Sequence, residues 1–202
     1  MKKLFLAIVA VVATCTLSAQ ELRWGVTGAV NFANVNMAGL NSSDCFVGFN
    51  LGARAELSLE EYISEGFYAD ARAIYTLKGG QWKDNRKNLG YVEVPLNFGY
   101  KYLLTPDVQL FGGLGPYLAL GVVGKDVLKT GDAKIKTDIF GVSYKRFDFG
   151  LNYKLGVEVW NQWQFYLGLE HSLLNLAKKN LDDEAHGKMH LVNFYIGTAY
   201  MF

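Results

Sequence analysis

The sequence predicts an all-β fold: one eight-stranded antiparallel transmembrane β-barrel of the outer-membrane type, closed around a lumen filled by side chains. Three observations predict it. Apolar and polar residues alternate over about eight separate segments. The apolar face of these segments carries no Asp, Glu, Lys or Arg, although 19% of the chain is charged. The connections are short and long in turn, the pattern of a barrel with tight turns at one end and long loops at the other.

Ahead of the first segment, residues 1–19 read as a secretory signal peptide. Lys2 and Lys3 precede the apolar stretch Leu4–Val12, and Ser18-Ala19-Gln20 closes it with small residues, placing cleavage after Ala19 and leaving 20–202 as a single domain. Cys15 follows Val12-Ala13-Thr14, where a lipoprotein would have Gly or Ala before the cysteine, so lipidation is not expected. Cys45, beside the polar run Asn41–Asp44, is then the one thiol of the exported chain, and no internal disulfide is expected. Twenty Lys and Arg face 19 Asp and Glu, or 18 against 19 without Lys2 and Lys3, which leaves no basic field for nucleic acid. An apolar content of 50% excludes disorder. Beyond the leader no apolar run approaches the roughly 20 residues of a membrane helix.

The segments follow in order. Leu22–Ala33 sets Trp24 on the apolar face and Arg23 on the other. In Phe46–Leu59, Val47, Phe49, Leu51, Ala53, Ala55 and Leu57 oppose Asn50, Arg54, Glu56 and Ser58. Phe67–Lys78 sets Phe67, Ala69, Ala71, Ala73 and Tyr75 against Asp70, Arg72, Thr76 and Lys78, and Gly90–Leu103 sets Val92, Val94, Leu96, Phe98, Tyr100 and Tyr102 against Glu93, Asn97 and Lys101. Val108–Val123 is rich in glycine. Phe147–Trp160 opposes Phe149, Leu151, Tyr153, Leu155 and Val157 to Asp148, Asn152, Lys154 and Glu158. Trp163–Ser172 carries Glu170, and Val192–Phe202 ends the chain with Tyr200 and Phe202 on the apolar face. The turns Glu60–Gly66, Thr105–Asp107 and Asn161-Gln162 are short, whereas Asn34–Cys45, Gly79–Leu89, Gly124–Arg146 and Leu174–Leu191 are expected as long loops.

A barrel of eight strands is only wide enough inside for side chains. Arg54, Glu56, Asp70, Arg72, Glu93, Lys101, Asp148, Lys154, Glu158 and Glu170 are therefore expected as a paired lumenal charge network that closes the lumen, not as a catalytic set. Pro95 lacks an amide donor, so mid-strand it implies a bulge or a break in the ladder. Gly112, Gly113, Gly115, Gly121, Gly150 and Gly156 allow the curvature that a narrow barrel needs.

Three stretches carry a family resemblance. Tyr91–Tyr102 (YVEVPLNFGYKY), Phe111–Tyr117 (FGGLGPY) and Phe147–Leu151 (FDFGL) with Gly156-Val157-Glu158 resemble the outer-membrane β-barrel domain family of Bacteroidota that includes PorT-like proteins, with Lys154 standing where that pattern has glycine. The terminal strand, with Tyr200 and Phe202, resembles the assembly signal read by the barrel-assembly machinery. The resemblance implies a barrel in the bacterial outer membrane, in contact with its lipid. It also implies one subsidiary role, as an accessory to protein secretion with an envelope or secretion protein as partner. No catalytic residue carries over.

Other functions fare worse on the residues. An outer-membrane lipid A-modifying enzyme needs a Ser–His pair, and in Glu170-His171-Ser172 adjacent strand residues point apart. His186 and His190, near Asp182 and Asp183, have a spacing open to metal but read as loop residues. Neither a cofactor nor a metal is expected. A pore is excluded by strand number, and a soluble lipocalin-type barrel would not need an aromatic terminal strand. The expectation is a non-enzymatic barrel, structural or presenting its loops to a partner. An arginine at Leu51, Phe98 or Val157, near the middle of the apolar face, is expected to cost about 2–4 kcal/mol in urea unfolding from lipid vesicles, with a milder effect at Asn50 or Asn97.

Overall fold

The computed structural model describes residues 22–37, 43–82, 85–130, 133–140, 144–177 and 189–202. The leader with Cys15, and the loop residues Asp182, Asp183 and His186, lie outside them. Nine strands lie among the described residues: β1 (Leu22–Met37), β2 (Phe46–Ser58), β3 (Phe67–Trp82), β4 (Asn85–Thr105), β5 (Val108–Thr130), β6 (Ala133–Asp138), β7 (Phe147–Val159), β8 (Trp163–Ser172) and β9 (Met189–Met201). Eight of them make a closed antiparallel barrel. Each wall strand pairs with its chain neighbours, β5 passes directly to β7, and the ladder from Gly25↔Met201 to Met37↔Met189 joins the first strand to the last.

The eight expected segments are all present, but the barrel is taller than the alternation suggests. Gly79–Leu89, expected as a loop, is mostly ladder, since β3 and β4 stay paired up to Trp82↔Asn85. Within Gly124–Arg146, β5 runs on to Thr130 and turns back as β6, which pairs with β5 alone and prolongs that hairpin beyond the barrel wall. The reason is physical. A strand shows in the sequence through its outward apolar period, and at the loop end that period stops although the backbone ladder continues.

Local chemistry sets the remaining features. The β7–β8 turn places Trp160 and Asn161 at φ 52° and 55°, with Gln162 N–H bonded to the Val159 carbonyl at 3.2 Å, the type I′ geometry whose twist matches antiparallel strands. Opposite Pro95 and Val94 the β3–β4 ladder is interrupted between Ala71↔Leu96 and Ile74↔Glu93 without a change of register, so the proline breaks the ladder and makes no bulge. The bulge lies higher: Gly90 pairs with Val123 but Tyr91 with Gly121, leaving Val122 as the extra residue.

The wall faces two ways. Outward, Leu51, Leu155, Phe98 and Phe165 are exposed, with Trp24, Tyr100, Tyr102, Trp163 and Phe202 toward the turn end. Inward, the lumen is charged and polar at its turn end and middle, but at the loop end it turns apolar. There Val35, Leu89, Tyr91, Tyr117, Ala119, Met189 and Leu191 of the wall meet Ile139, Phe140, Tyr144 and Leu176 from the connections in one buried cluster. Phe140 stands edge-on to Tyr91, 5.5 Å between ring centres. Its ring occupies space left by two glycines: a Cβ on Gly121 or Gly124 would lie 2.4 or 2.6 Å from it. Gly121→Val is therefore expected to expel Phe140, to cost about 1–3 kcal/mol by overpacking, and to speed proteolysis between β5 and β7 while the far-ultraviolet β signal is kept.

Candidate functional site

Strand alternation turns one side chain in two toward the barrel axis. All ten charged residues expected in the lumen lie there. Nine are buried, and Lys101 is nearly so at the turn end. They fall into three levels.

At the turn end, Glu56 and Glu158 are bridged by two cations. Arg23 Nη1 lies 3.2 Å from Glu56 Oε1 and 2.8 Å from Glu158 Oε1, while Lys101 Nζ contacts Glu56 Oε1 and lies 2.6 Å from Glu158 Oε2. Gln164 Nε2 donates to both carboxylates, at 2.6 Å to Glu158 and 3.2 Å to Glu56. Arg54 links this level to the next, with Nη2 2.8 Å from Glu56 Oε2, Nε 2.9 Å from Asp70 Oδ2, and a contact from Nη1 to the Gln164 carbonyl.

In the middle, Asp70 also takes Lys154 Nζ at 2.6 Å and Asn97 Nδ2 at 2.8 Å. A relay of neutral groups follows: Asn152 Nδ2 donates to Asn97 Oδ1 at 2.7 Å, and the Tyr195 hydroxyl to Asn152 Oδ1 at 2.6 Å. Arg72 joins it through Nη2, 3.2 Å from both Asn152 Oδ1 and the Tyr195 oxygen, and lies over the Tyr195 ring. It has no carboxylate within ion-pair distance among the described residues, and its Nε and Nη1 have no partner. Tyr68, Phe111 and Tyr166 pack around this level.

Toward the loops, Lys78 Nζ lies 2.6 Å from Glu93 Oε2 and 2.6 Å from Glu170 Oε2, and Asn193 donates to Glu170 at 2.8 Å. Glu93 Oε1 and Glu170 Oε1 are buried without partners. Asp148 accepts Ser172 Oγ at 2.5 Å, Tyr117 Oη at 3.0 Å and its neighbour's amide at 2.8 Å. The charges are thus sorted along the axis. Arg23, Arg54, Arg72, Lys101 and Lys154 outnumber Glu56, Asp70 and Glu158 below, whereas above them, among the described residues, Lys78 is the buried cation, paired with Glu93 and Glu170 and with Asp148 nearby.

Two positions change the sequence-based view. Asn97 is buried and bonded on both sides, so an arginine there would crowd Lys154 and Arg54, and the milder effect expected for that site does not hold. Asn50 is equally buried and donates to Asn31 at 2.9 Å. Asn152 is the connector that alternation places on the polar face, whereas Gln164, Tyr195 and Asn193 carry no charge and leave no distinct signal in the sequence. The loop-end cap did leave a signal: Leu89 and Tyr91 share inward parity with Glu93. Tyr200 packs edge-on to Trp163 at 5.0 Å and to Phe202 at 5.5 Å, and the Phe202 amide bonds the Trp24 carbonyl at 2.8 Å, tying the last residue to β1. His171 is exposed on the outer face and Ser172 faces inward, bound to Asp148, so these neighbours form no pair. Cys45 is a free, exposed thiol.

A family model described as the outer membrane protein β-barrel domain matches residues 4–202. The chain belongs to this family. Membership points to the bacterial outer membrane. No curated protein matches the sequence. Among solved structures, Neisserial surface protein A is 13% identical and aligns over 89% of this chain and 97% of its own, with a TM-score of 0.51. Ail, the attachment invasion locus protein of Yersinia pestis, is 16% identical over 91% of this chain and 100% of its own, with a TM-score of 0.48. OprG from Pseudomonas aeruginosa is 13% identical over 90% and 94%, at 0.46. The Neisserial match supports the barrel fold and nothing finer.

In this outer membrane barrel Lys78 is the cation on which two buried carboxylates depend. Lys78→Met is expected to lower unfolding stability by about 3–5 kcal/mol, because it strands Glu93 and Glu170. Adding Glu93→Gln and Glu170→Gln is expected to recover most of that loss, as read by urea titration in lipid vesicles.

Proposed function

We propose that this outer membrane barrel is a non-enzymatic protein that serves as structure in the membrane and presents its loop end to a partner in the envelope. The observation that carries the reading is the interior: charged, hydrogen-bonded side chains fill the lumen from the turn end to the middle, and an apolar cluster covers it at the loop end. In this reading Arg54, Glu56, Asp70, Arg72, Glu93, Lys101, Asp148, Lys154, Glu158 and Glu170 are a closure, and what remains for recognition is the surface beyond the membrane. The exposed apolar wall is the lipid contact. Tyr200 and Phe202 act as the signal for the barrel-assembly machinery after export under the leader 1–19. The reading as a lipid A-modifying enzyme is weakened by His171 and Ser172, which stand on opposite faces of β8.

The resemblance of Tyr91–Tyr102, Phe111–Tyr117 and Phe147–Leu151 to PorT-like proteins favours a second reading, an accessory role in protein secretion across the outer membrane. Deleting the gene in its native host and comparing secreted and surface proteins with wild type separates the two. An unchanged secreted set, with altered detergent sensitivity of the envelope, is expected for the structural reading. Loss of a defined class of exported proteins, with precursors held in the periplasm, would replace it with the secretion role.

A further inference from the structure

We propose that His171 and His190 form a two-imidazole binding site for a divalent transition metal such as Zn2+, Ni2+ or Cu2+ at the loop-end rim of the barrel. The two residues come from adjacent strands, near the end of β8 and the start of β9, where the ladder pairs His171 with Val192. Met189 and Leu191 turn into the cap, so alternation turns His190 outward, to the side on which His171 is exposed. The rings lie 6.4 Å apart between centres with planes 12° from parallel. A tetrahedral metal bonded by one nitrogen of each ring, at about 2.0–2.1 Å, sets the ring centres roughly 5 Å apart, so the two rings have to close by about 1 Å and turn a nitrogen each toward the ion.

The tautomer is also arranged. His190 Nδ1 lies 3.2 Å from the Ser172 carbonyl oxygen. A carbonyl only accepts, so Nδ1 carries the hydrogen and Nε2 keeps its lone pair, as is usual for a metal-binding histidine held by a backbone carbonyl. Ser172 is itself fixed, through its hydroxyl on Asp148 inside the lumen. Imidazole donors suit zinc, nickel and copper, while calcium and magnesium favour oxygen. Among the described residues no third His, Cys, Asp or Glu joins the two imidazoles, which leaves the other coordination positions open to water. A bound ion would clamp β8 to β9 at the base of the connection between them.

The test uses the full mature chain without a histidine tag, refolded in detergent and titrated calorimetrically with zinc, nickel or calcium chloride. One saturable event per chain is expected with zinc or nickel and none with calcium. His171→Ala and His190→Ala should each weaken binding at least about tenfold, whereas His186→Ala should leave it unchanged. Both substituted residues lie outside the cap and the charge network, and heat-modifiable gel migration checks that the variants are folded. Zinc should also raise the unfolding temperature of the wild type but not of His190→Ala. Absence of saturable zinc or nickel binding by wild type would overturn the proposal. So would binding that survives loss of both His171 and His190, or that depends on His186 instead.

Discussion

Within hydrocarbon no water is present to pair a backbone N–H or C=O, so a sheet that crosses it must bond to itself all the way round. That requirement determines most of this molecule. It places β1 beside β9 although they lie at opposite ends of the sequence, and it ties the Phe202 amide to Trp24 at the seam. Eight strands satisfy it with a narrow ring, and a narrow ring leaves space inside only for side chains. Every inward residue then has to find a partner across the lumen or pack against one. At one such close approach there is no side chain at all: a Cβ on Gly168 would lie 2.0 Å from the Tyr195 ring.

The interior meets this demand differently at its two ends. Buried ion pairs are weak contributors to net stability, because desolvation offsets most of their attraction, yet removing one partner is severe. Each carboxylate of the lower two levels has at least two donors, so losing one of them leaves the carboxylate partly paired. At the loop end apolar packing takes over, with Phe140 and Tyr144 brought down from the β5–β7 connection onto Tyr91 and Tyr117.

The legibility of these features follows their range. Closure, strand number and the direction of each side chain are local, since lipid outside and a charged lumen inside write a period of two into every strand. Parity puts Arg54 and Asp70 on the inner face without any knowledge of the partner strands. Which groups meet is another matter. Arg54 reaches Gln164, 110 residues on, and Lys154 reaches Asp70, 84 residues back, and such pairs depend on strand stagger, which no local pattern records. The upper ladder and β6 were hidden because, once lipid no longer covers the outer face, the apolar period that marks a strand fades. Lys78 shows the same limit. Alternation places it inward, but its position between Glu93 and Glu170 exists only after β3, β4 and β8 are assembled.

The cross-lumen contacts have a mechanical consequence. Arg23 spans from β1 to Glu158 on β7, Lys101 from β4 to the same carboxylate, Lys154 from β7 to Asp70 on β3, and Lys78 from β3 to Glu170 on β8. These strands are not neighbours in the wall, so the links run across the ring as spokes do in a wheel. A bare cylinder of sheet flattens easily into an ellipse, since flattening bends the wall without breaking its ladders. Here flattening along one diameter stretches spokes along another, and the circular cross-section resists it. Peeling one strand from the wall likewise tears contacts on the far side, which couples distant strands and makes the ring yield as a unit.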